Sequence, residues 1–85
     1  MSWRWHLFVL ATDLGIHSDV MFDEESVGGH DFLTVTMPKS TSQYVVTYSD
    51  AGFRVEGAGL NRSWSCATIG DAARKLLELY AADKQ

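Results

Sequence analysis

The chain has 85 residues, of which 46% are apolar and 21% charged, with a single Pro and a single Cys. That balance is the profile of one small packed domain and excludes intrinsic disorder, and one thiol excludes an internal disulfide. The formal charge of −4 argues against a nucleic-acid binder, which needs clustered Lys and Arg to neutralise phosphates.

The amino-terminal stretch from Trp3 to Thr12 is the most apolar part of the chain. Trp3, Trp5, Leu7 and Val9 alternate with Arg4, His6, Phe8 and Leu10, which predicts a strand buried on both faces. The stretch is too short and too charged to cross a bilayer and lacks the form of a secretory signal, so no membrane anchor and a cytoplasmic location are expected. Between Asp13 and Asp31 the signals conflict. A weak strand is expected near Val20 to Phe22, and Gly28-Gly29 marks a break.

From Asp31 to Glu56 the two-residue period is clear. Leu33, Val35 and Met37 share one strand face, and Pro38 to Ser42 supplies turn chemistry. Tyr44, Val46 and Tyr48 line the next strand. Ser49-Asp50-Ala51-Gly52 is a hairpin loop in which Gly52 supplies positive φ, and the chain returns as Phe53 to Glu56. Trp64 and Cys66 belong to a further short strand. Thr68 is placed as the N-cap of a helix over about 69–82, with Asp71 at the third helical position. Ile69, Ala72, Ala73, Leu76, Leu79 and Tyr80 form its apolar stripe. The expected class is α+β: an antiparallel sheet of about five to six strands with one carboxy-terminal amphipathic helix on one face.

The last three strands and the helix share the outline of small β-β-β-α modules, such as antitoxin domains and double-stranded-RNA-binding domains. The helix start Thr68-Ile69-Gly70-Asp71 lacks the Lys cluster that grips RNA phosphates. No resemblance is specific enough to carry residues over.

Candidate chemistry is sparse. Cys66 sits at an apolar-facing strand position with no His beside it in sequence, which fits a small buried hydrophobe better than a nucleophile. Metal binding has candidates in His17, Asp19, His30 and Asp31, but the tight Cys and His pairs of zinc sites and the ligand spacing of calcium loops are missing. Gly28-Gly29 and Gly57-Ala58-Gly59 lack phosphate-loop context. No cofactor is expected.

The charge pattern is the one outstanding signal. Asp13, Asp19, Asp23, Glu24, Glu25 and Asp31 are six of eleven carboxylates, and no Lys or Arg lies among them, so this segment alone carries −6. A field of that kind steers and holds a basic partner surface. The same residues also suit a solvated loop that keeps a small protein soluble. The leading expectation is a non-catalytic protein-binding or inhibitor module that engages a basic partner through these six acids. Its general character is that of phage or mobile-element inhibitors, immunity proteins and antitoxins. Two alternatives stand beside it: a small metal-dependent or hydrolytic enzyme using the His17 and His30 segment, and a homodimeric structural module.

Overall fold

The computed structural model describes residues 2–16, 19–39, 43–57 and 61–83. Its elements are α1 (Trp3–Leu14), β1 (Met21–Val27), β2 (His30–Thr36), β3 (Gln43–Ser49), β4 (Gly52–Gly57), β5 (Ser63–Cys66) and α2 (Ile69–Asp83). The strands form a five-stranded sheet in the order β1-β2-β3-β4-β5, and every neighbouring pair is antiparallel. The class is α+β, with α2 packed on the sheet.

The amino-terminal segment overturns the strand expected over Trp3 to Thr12. It is a helix, because its ends are capped and its apolar residues suit a 3.6-residue period as well as a period of two. The Ser2 hydroxyl accepts hydrogen bonds from the backbone N–H groups of Arg4 and Trp5, at 3.1 and 3.5 Å. At the other end, Gly15 takes φ 120°. The Gly15 N–H donates to Thr12 and the Ile16 N–H to Ala11, the paired bonds of a Schellman cap. Leu7 and Ala11 are fully buried, one turn apart. The helix is apolar on most sides, so alternation and helical spacing coexist in the same letters.

The short strand expected near Val20 to Phe22 is longer and shifted. β1 runs from Met21 through the acidic triplet to Val27. Gly28 and Gly29, at φ 60° and 82°, close it onto β2 in the two-residue type I′ geometry that only residues tolerant of positive φ adopt. The remaining strands lie where the sequence places them.

Register sorts the side chains onto two faces. Phe22 faces Val35, Leu33 faces Val46, Val46 faces Val55, and Phe53 faces Cys66 across successive strand pairs. These residues form one apolar surface, on which Leu7 and Ala11 of α1 and Ala72, Ala73, Leu76 and Tyr80 of α2 complete the core. Both helices therefore lie on the same face and touch each other. The opposite face carries Asp23, Glu25, Thr34, Thr36, Gln43, Thr47, Arg54 and Ser65, and no residue on it is fully buried.

α2 begins as its sequence implies. The Asp71 N–H donates to the Thr68 hydroxyl at 3.1 Å, and Asp71 accepts from Arg74 one turn later. Its far end is tied to the residues just after β2, since the Lys39 N–H donates to the Asp83 carboxylate at 2.9 Å.

Gly52 starts β4 at φ 114°, and a Cβ there would lie 2.7 Å from the Cys66 carbonyl oxygen. Gly52→Ala is expected to cost about 1–3 kcal/mol, because strain and a backbone collision act together. Gly28→Ala, at φ 60° with no atom near the added methyl, should cost only about 1 kcal/mol. Urea unfolding of both variants measures the difference, and equal losses would contradict the close packing at Gly52.

Candidate functional site

Four of the six predicted acids come together and two do not. Asp23, Glu24 and Glu25 lie on β1 and Asp31 on β2, so the β1–β2 hairpin carries all four. Alternation splits them by face. Glu24 pairs with Leu33 and Asp31 with Ser26, which places both on the helix-covered side. Asp23 pairs with Thr34 and Glu25 with Phe32, on the open side. There the Glu25 carboxylate accepts from the Thr34 hydroxyl at 3.1 Å. Asp13 sits in the last turn of α1 and shares a cleft with Leu10, Leu14, Gly70, Ala73 and Arg74. Asp19 accepts from the Tyr80 hydroxyl at 3.2 Å, beside α2. Neither residue belongs to the hairpin group.

Sequence reasoning missed Arg4. It lies outside the acidic segment along the chain, yet α1 carries it over the helix-covered side of the hairpin. Its guanidinium donates to the Glu25 carbonyl at 3.1 Å and stands 3.7 Å from Glu24 and 3.9 Å from Asp31. The Arg4 side chain is only 13% exposed, whereas those of Glu24 and Asp31 remain half open. Its Nε is buried without a hydrogen-bond partner. Arg4 thus offsets charge on the covered side, and among the described residues no cation forms an ion pair with Asp23 or Glu25 on the open side. The helical period offered the only signal: Arg4 lies one turn before Phe8 and so shares its side of α1.

Beside Arg4 runs an apolar groove of about 270 Å³, lined by Arg4, Trp5, Phe8, Phe22, Glu24 and Leu33. Trp5 stacks near Phe8 with ring centroids 5.4 Å apart, and Phe8 meets Phe22 edge-on at 5.2 Å. Trp5 nevertheless stays 48% exposed, with Met21 and Val27 at the two ends of β1 even more open. A second cleft at the hairpin tips is lined by Trp3, His30, Asp31, Phe32 and Tyr48.

Among the described residues the candidate metal ligands are not gathered. His17 lies outside the described residues, Asp19 is held at α2, and His30 and Asp31 stand at the β1–β2 turn. Among the described residues no group of three or more His, Cys, Asp or Glu side chains is placed to hold a metal ion. Cys66 is a buried free thiol. Burial pushes its pKa up from the ordinary 9.0, the Asp71 carboxylate adds to the rise, and the Lys75 ammonium opposes it. No described helix is long and apolar enough to cross a membrane.

Arg4→Met keeps much of the stem but removes the bond to Glu25 and the charge beside Glu24 and Asp31. It should lower stability by about 1–3 kcal/mol, with a larger loss at low salt, where the acids repel one another unscreened. A loss independent of salt would assign Arg4 a packing role only. Cys66 should react with iodoacetamide at pH 8 at least about tenfold more slowly in the folded chain than in urea. Because the folded thiol ionises later than the unfolded one, stability should fall as pH climbs through the ordinary thiol range.

Comparison with known proteins returns no match: no family model, curated protein or solved structure is similar to the chain.

Proposed function

We propose that the protein is a non-catalytic binding module that captures a basic partner surface through its acidic β1–β2 hairpin. The observation that carries this reading is the convergence of Asp23, Glu24, Glu25 and Asp31 on one exposed hairpin, with Arg4 compensating only the covered side. Asp23 and Glu25 project from the same open face of an edge strand, where a partner can reach both. Carboxylates in such an array raise the association rate of a cationic surface and repel anionic ones. A role of the inhibitor, immunity-protein or antitoxin kind is compatible with this chemistry, in a cytoplasmic setting. Asp13 and Asp19 stand beside α2, apart from the hairpin, and this reading does not draw on them.

The test separates surface charge from fold. Asp23→Lys with Glu25→Lys reverses the open-side charge without touching the contacts of Arg4 with Glu24 and Asp31. Capture of a basic protein such as lysozyme or a histone should slow by about tenfold or more at low salt, with the melting temperature nearly unchanged. The Asp13→Lys variant serves as the control and should capture normally. Equal capture by all three forms would overturn the proposal.

A further inference from the structure

We infer that the free edge of β1 is a docking site for an extended basic strand of a partner protein, which joins the sheet as a sixth strand. This inference rests on the binding role proposed above and specifies how the partner is held. β1 is the terminal strand of the sheet and, at seven residues, a full-length one. The two-residue Gly28-Gly29 turn makes Val27 and His30 a hydrogen-bonded pair, so the alternating ladder turns the backbone groups of Phe22, Glu24 and Ser26 outward. Among the described residues no strand pairs with that edge.

The side chains flanking the edge define what would fit. On the open side an added strand would meet Asp23 and Glu25, which call for Lys or Arg at alternate positions. On the covered side it would meet Phe22, Glu24 with its charge offset by Arg4, and the groove under Trp5 and Phe8, which call for an aliphatic residue between the basic ones. Main-chain bonds supply affinity in this mode, and alternate side chains supply specificity. A second copy of the chain is the wrong occupant. Antiparallel self-pairing centred on Glu24 would set Asp23 against Glu25 and Glu24 against Glu24, and like charges directly opposed destabilise a pair.

The probe is a synthetic seven-residue peptide of alternating Lys and Val, compared with an isomer that carries the same residues in two blocks. The full chain is titrated with each, and amide hydrogen exchange is read by NMR. The alternating peptide should bind more tightly, and the amides of Phe22, Glu24 and Ser26 should gain about tenfold protection or more, while those of Asp23 and Glu25 change little. Ser26→Pro keeps every acid but removes one outward N–H at an edge that tolerates Pro. It should weaken the alternating peptide about fivefold, the worth of one backbone hydrogen bond, and leave the block isomer unaffected. Should that variant unfold, the exchange data on the unaltered chain decide alone. Equal binding of the two peptides, or binding without new protection, would overturn strand addition while leaving charge capture intact. Failure to bind either peptide would overturn the binding role itself. Protection of the same three amides that rises with protein concentration, without peptide, would assign the edge to a second copy.

Discussion

A five-stranded meander with one apolar face has to be covered on that face, and here two helices from opposite ends of the chain share the work. Leu33, Val35, Val46, Val55 and Cys66 present a surface too broad for one helix, and α2 alone reaches chiefly β4 and β5. α1 covers the remainder through Leu7 and Ala11 and rests against α2. Each helix contributes the burial that its own short stripe could not achieve alone, since an isolated helix of this length is marginal in water.

That arrangement decides where charge can go. Beside the hairpin the covered side holds Arg4, which is bound by a carbonyl and two carboxylates and kept largely from solvent. A buried guanidinium is costly unless it is paired, so the acids on this side contribute to holding α1 against the hairpin as well as to any external encounter. Asp23 and Glu25, on the open side, have no such internal duty. The face that carries them mixes Thr and Ser with the half-buried Phe32 and Val45 and the exposed Met21 and Val27, and it meets water on one side of an antiparallel sheet.

The edge of β1 combines two requirements that usually conflict. A long unpaired strand invites uncontrolled pairing, and acidic side chains on it discourage association with identical chains. The same charges leave the edge open to a strand of opposite sign. Specificity of this kind needs repulsion of the wrong partner as much as attraction of the right one.

Much of this architecture is legible in the residues alone. The α+β class, β2 to β5, the Gly52 turn and α2 with its Thr68 cap follow from local patterns: alternation on a half-buried strand, a positive-φ glycine and a hydroxyl before an apolar stripe. These signals are short-range, so the chain displays them without knowledge of its fold. The amino-terminal helix was not legible from alternation, because a segment apolar nearly all round satisfies both periods and only its caps, Ser2 and Gly15, distinguish them. Tertiary structure alone decided which acids stand together. Asp13 and Asp19 are neighbours of Asp23 along the chain, but packing carries them to α2, while Arg4 arrives from the far end of α1 to face Glu24 and Asp31. Charge acts through space, and the sequence orders it only along the chain.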